Sequence, residues 1–67
     1  MLKDYVVLFI LKDNPLMVEG FLCSAEDSDH AEEQAMDAYP DCEVVWIEEG
    51  TDWEKAHDNY LESYLTP

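Results

Sequence analysis

Basic side chains are almost missing from this chain: in 67 residues there is no arginine, and three lysines stand against seventeen aspartates and glutamates, for a net charge of −14. Nucleic acids and anionic membrane surfaces attract cationic proteins, so direct binding to either is not expected, and a basic partner is the natural complement. Glycine is equally scarce, with Gly20 and Gly50 alone, which excludes a glycine-rich phosphate loop. The longest apolar run, Tyr5 to Leu11, is seven residues, where about 20 are needed to cross a bilayer. The first residues do not show the basic, apolar and small-residue succession of a secretory leader, so the expected location is cytoplasmic. In that compartment the two cysteines, Cys23 and Cys42, are expected to be reduced, buried thiols and not a disulfide.

Metal and catalytic patterns are missing as well. Cys23, His30, Cys42 and His57 follow one another at intervals of 7, 12 and 15 residues, which fits no zinc finger or ribbon. Asp27-Ser28-Asp29 opens like a calcium loop, but Glu32 stands where glycine is required and Ala38 where a bidentate glutamate belongs. No serine or cysteine lies in a nucleophile motif, and His57 falls beside an apolar helical stripe as a structural residue. The expectation is a non-enzymatic protein with no cofactor and no metal.

What remains is apolar enough to fold. Hydrophobic residues make up 48% of the chain and eight are aromatic, too many for a disordered acidic tail, and the length allows one domain, residues 1–67. Leu2 to Leu11 is rich in Val, Ile, Phe and Tyr and apolar at both parities, which predicts a central strand buried on both faces. Asp13-Asn14-Pro15 supplies a turn, and Leu16 to Ala25 predicts an edge strand with a bulge at Glu19-Gly20. Ala31, Ala35, Ala38 and Tyr39 then recur at helical spacing, with Asp27 or Asp29 as N-cap and Pro40 as stop. Cys42 to Glu49 predicts a third strand ending at Gly50, with Trp46 open to either sheet face. Thr51-x-x-Glu54 fits a capping box for a second helix, striped by Trp53, Ala56, Tyr60, Leu61 and Tyr64 and fraying at Thr66-Pro67. The result is an α+β fold, ββαβα, with a three-stranded antiparallel sheet of order 2-1-3 and two helices. Since the central strand is apolar on both sides, either the helices divide the faces or two copies pack their sheets together. A homodimer through Val6, Leu8 and Ile10, or through Val7, Phe9 and Leu11, is expected.

The acids are ordered. On a helical wheel Asp29, Glu33 and Asp37 oppose the alanine stripe, and Glu54, Asp58 and Glu62 repeat the spacing on the second helix. Successive carboxylates lie about 6 Å apart along each axis, near the spacing of phosphates on a strand, and like charges at this spacing destabilise a helix by about 0.2–0.5 kcal/mol per pair. Glu48 and Glu49 add charge at the end of the third strand. These eight residues are the candidate partner-binding set. The plain alternative is an ordinary solvated acidic coat or an adaptation to high salt. Duplex DNA carries one phosphate per roughly 100 Å² of its surface, whereas a chain of this size spreads its charge at roughly one per 300 Å², so mimicry of DNA requires the acids to cluster.

Ala25-Glu26, Asp29, Ala31, Glu33, Ala35 and Tyr39, followed by Glu43-Val44, resemble the small RNA polymerase inhibitor of podophages over about 20 residues. The resemblance implies two strands, a helix and a returning strand. The chain departs from that family at Trp46-Ile47-Glu48, where the family presents arginines, so contact with polymerase through that strand does not carry over. In size and acidity the chain also resembles phage-encoded proteins that inhibit host DNA-binding proteins by imitating DNA. The expected function is therefore an acidic inhibitor that blocks the basic nucleic-acid-binding surface of a host nuclease, nucleoid protein or polymerase in the host cytoplasm. The alternative is an RNA-polymerase-binding or other regulatory adaptor acting through exposed apolar and aromatic residues.

Overall fold

The computed structural model describes residues Met1 to Leu65; the expected fraying at Thr66 and Pro67 lies outside them. The elements are β1 (Lys3–Leu11), β2 (Asn14–Ala25), α1 (Ser28–Ala38), β3 (Cys42–Glu49) and α2 (Trp53–Leu65). The three strands form an antiparallel sheet in the order β2-β1-β3. This is the α+β, ββαβα arrangement that the hydrophobic periodicities predict.

Burial explains why β1 is central. Val6, Val7, Leu8 and Phe9 are at most 1% exposed, and alternation along a strand sends successive side chains to opposite faces. One face gathers Tyr5, Val7 and Ala25 with Ala31 and Ala35 of α1, flanked by Phe21, Cys23, Val44 and Ile47. The other gathers Val6 and Leu8 with Ala56 of α2, flanked by Val18, Val45, Trp46 and Tyr60. The helices thus divide the faces of the sheet. The expected dimer through a bare face of β1 is corrected accordingly: Val6 and Leu8 are covered by α2, Val7 and Phe9 are closed over on the side of α1, and Ile10 and Leu11 are half-buried.

Local details shift within this plan. The hairpin closes at Leu11 opposite Asn14, so Lys12 and Asp13 form the turn. Pairing of β1 with β2 is regular from Lys3 opposite Ala25 to Phe9 opposite Glu19, and the irregularity falls beyond Glu19. No bulge sits at Gly20, whose role is different. It faces α2, and a Cβ there would come within 1.9 Å of the Trp53 ring, so only glycine lets the indole lie on the strand. A second irregularity, between Leu8 and Phe9 against β3, brings Val45 and Trp46 together on the α2 side.

Asp27 caps α1, its carboxylate accepting the His30 amide at 2.8 Å. The cap of α2 is Asp52, accepting the Lys55 amide at 3.0 Å, and not the expected Thr51. Aspartate and threonine are both good caps, and the helix begins one residue later than the capping-box pattern predicts. Gly50 adopts a positive φ of 129° and donates its amide to the Asp4 carbonyl at 2.8 Å, tying the turn before α2 to the start of β1.

Candidate functional site

α1 approaches the sheet closely because its inward residues are small. Ala31 and Ala35 are fully buried, and Tyr39, just past the helix end, lies against Phe9 with ring centroids 4.8 Å apart and meets Phe21 edge-on at 6.1 Å. A helix seated on alanines turns its opposite side fully to solvent. Asp29, Glu33 and Asp37 occupy that side and all three are exposed. Glu32 on the flank and Glu26 and Asp41 at the two ends are exposed as well.

Seven acids fall between residues 26 and 41, and no lysine interrupts the chain from Asp13 to Glu54. Among the described residues the one ion pair is Lys3 to Glu49 at 4.0 Å, with both side chains more than half exposed. Such a pair contributes little, and neither of its members belongs to the α1 row. The α1 row therefore carries its self-repulsion without a neutralising partner. Averaged over the molecule, 4793 Å² of surface shared by a net charge of −14 is roughly one charge per 340 Å². Residues 26 to 41 hold seven of the seventeen acids, so the segment around α1 carries more charge per residue than the chain as a whole.

The other expected residues do not join this surface. Glu54, Asp58 and Glu62 are exposed, but α2 lies on the opposite face of the sheet, so the two rows point away from each other and cannot enter one groove together. Lys55 also interrupts the second row. Glu48 is half-buried on the α2 side, where its Oε1 accepts Asn59 Nδ2 at 2.7 Å and Trp46 Nε1 at 3.4 Å. That carboxylate anchors α2 to β3. Glu49 is exposed on the α1 side, opposite Tyr5 in the register, where Lys3 draws on its charge. Thus one row of three stands as a coherent surface, joined by Glu26, Glu32 and Asp41. Glu32 and Asp41 escape the i, i+4 pattern, and the signal that finds them is the long interval without lysine.

Among the described residues no three His, Cys, Asp or Glu side chains converge as metal ligands, and no helix is long and apolar enough to cross a membrane. A shallow cleft of about 330 Å³ is lined by Asp4, Tyr5, Leu22, Cys23, Ser24 and Thr51. Burial, and then the charge of Asp4, pushes the Cys23 thiol up, while Ser24 Oγ donates to Asp4 at 2.9 Å. The thiol is protonated near neutral pH and is a weak nucleophile there. Cys42 is likewise raised, by burial and then Glu32, with a backbone hydrogen bond opposing them. Both cysteines are free and half-buried, less enclosed than expected.

Comparison with family models, with curated proteins and with solved structures finds no match for this chain.

Proposed function

We propose that the chain is a non-enzymatic inhibitor, of the type phages direct at host DNA-binding proteins, and that it occupies the basic nucleic-acid-binding surface of its partner in place of DNA. The observation that carries this reading is the outer side of α1. Asp29, Glu33 and Asp37 stand in one exposed row over about 12 Å of helix axis, flanked by further exposed acids, with no lysine between Asp13 and Glu54. A merely soluble helix could place lysine at one of these positions and turn a repulsive pair into an attractive one. The row matches about four base pairs of phosphate rise, and its negative field would draw a basic groove from a distance at low salt. The partner is a basic DNA-binding protein such as a nuclease, nucleoid protein or polymerase, met in the host cytoplasm.

The test uses the chain immobilised and exposed to a bacterial lysate at low salt, with and without competing duplex DNA. Retained proteins should be DNA-binding, should be displaced by the duplex and should elute as salt rises. The triple variant Asp29→Asn, Glu33→Gln, Asp37→Asn should retain far less of them. A partner that holds duplex and this chain at once would overturn the reading and favour the adaptor, in which apolar and aromatic side chains make the contact.

A further inference from the structure

β2 is an outer strand of the sheet, and the edge it turns away from β1 has no strand beside it among the described residues. Unpaired strand edges offer a row of amides and carbonyls to any extended chain, and natural proteins guard them with charge, proline or bulges. β3, the other outer strand, is guarded by Glu43, Glu48 and Glu49 in eight residues. β2 carries a single charge, Glu19, in twelve, and every other element carries at least two. Pro15 and the irregular pairing blunt the hairpin end of β2, but from Glu19 to Ala25 the strand pairs regularly with β1. Leu22, in the middle of this regular stretch, is 56% exposed.

We infer that β2 pairs antiparallel with β2 of a second copy, centred on Leu22, to make a continuous six-stranded sheet. A second copy brings fourteen more net negative charges, so self-association is tolerable only where the two chains meet with little charge and keep their acid rows apart. The outer edge of β2 is that place. Centring on Leu22 matches the regular segment with itself: Leu22 lies opposite its counterpart, Phe21 opposite Cys23, and Glu19 opposite Ala25. The two Glu19 carboxylates then stand at opposite ends, about 20 Å apart. A basic partner gains little from a strand with one charge, and the helices cover the centre of both sheet faces, so the copies meet along the edge. A twofold axis perpendicular to the sheet sets both α1 helices on the same side with their acid rows facing outward. The inference stands independently of any partner for those rows.

Sedimentation equilibrium at high protein concentration tests it, in 0.1 M and 1 M salt. The wild type should show about twice the 7.8 kDa chain mass, more completely at 1 M, where the Debye length falls from about 10 Å to 3 Å. Leu22→Glu sets two carboxylates face to face across the axis and should give the single-chain mass with an unchanged circular dichroism spectrum. Leu16→Glu, at a side chain 97% exposed but outside the regular segment, should remain double. A wild type of single-chain mass at both salts overturns the inference, even if β2 then captures an extended apolar peptide. So does a Leu22→Glu chain that stays double, or a wild type that assembles beyond two copies. None of these substitutions touches α1, so a failure here leaves the DNA-competition result to be read on its own.

Discussion

The two faces of the sheet are covered by helices of similar length that do the work differently. On one, α1 rests on two fully buried alanines and Tyr39 closes the end over Phe9 and Phe21. On the other, Ala56 alone is buried in α2, and the contact is made by large rings: Trp53 over Gly20, stacked on His57 at 4.9 Å, and Tyr60 against Trp46 at 6.3 Å. Small residues let a helix sit down and leave a mostly polar outer side; large ones prop it up and leave apolar groups showing. Trp53, Leu61, Tyr64 and Leu65 are exposed on α2, whereas α1 exposes acids with Met36 as its one large apolar residue. The difference leaves α1 with an acidic outer side and α2 with one that mixes acids and large apolar groups.

The largest expected effect lies on the tightly closed face. Phe9→Ala removes a side chain 1% exposed and its stack on Tyr39, which should cost about 3–5 kcal/mol in chemical denaturation, much of the stability of a chain this small. Tyr60→Ala, on the looser face, should cost less, about 1–2 kcal/mol, because its ring is only half-buried. Equal losses would erase the contrast between the faces. Gly20→Val should come next: the new side chain meets the Trp53 ring, and overpacking of this kind costs about 1–3 kcal/mol. Its signature is a shift in tryptophan fluorescence with the α1 face undisturbed in amide exchange.

A smaller effect of opposite sign is expected from neutralising Asp29, Glu33 and Asp37. The free protein should gain about 0.2–0.5 kcal/mol for each of the two i, i+4 repulsions removed, and the gain should shrink as salt rises. The thiols give the smallest signal. Burial raises both Cys23 and Cys42, so the folded chain holds these protons more tightly than the unfolded one. Their contribution to stability is present below the ordinary thiol range and is lost as pH climbs through the raised values. Alkylation near neutral pH should accordingly be slower in the folded chain than in urea.

Element types and order are legible in the sequence because each rests on a local pattern: the two-parity apolar run of Leu2 to Leu11, the alanines at helical spacing, the Gly50 break. The sheet order follows from composition, since only the first strand is apolar enough to be buried on both sides. Which face each helix takes is not local. It depends on the crossovers from Ala25 to Cys42 and from Glu49 onward, and it decides that the two acid rows diverge. Glu48 reads as a free carboxylate in the sequence because its partner, Asn59, lies eleven residues away and nothing local announces their 2.7 Å bond. Gly20 reads as a bulge because glycine in a strand has two common uses, and the approach of Trp53 is visible only after folding.

The central claim is that the α1 face, and not the whole acidic surface, takes the place of DNA. It is tested most directly by measuring the affinity of the captured basic partner for three chains in 0.1 M salt: the wild type, the Asp29→Asn, Glu33→Gln, Asp37→Asn variant, and the Glu54→Gln, Asp58→Asn, Glu62→Gln variant. Both variants lose three charges, so any difference between them reflects position alone. The α1 variant should bind at least about tenfold more weakly, which is about 1.4 kcal/mol, while the α2 variant stays within about twofold of wild type once general screening is allowed for. Equal losses in both, or none in either, would contradict the claim and return the acidity to the role of a solvated coat.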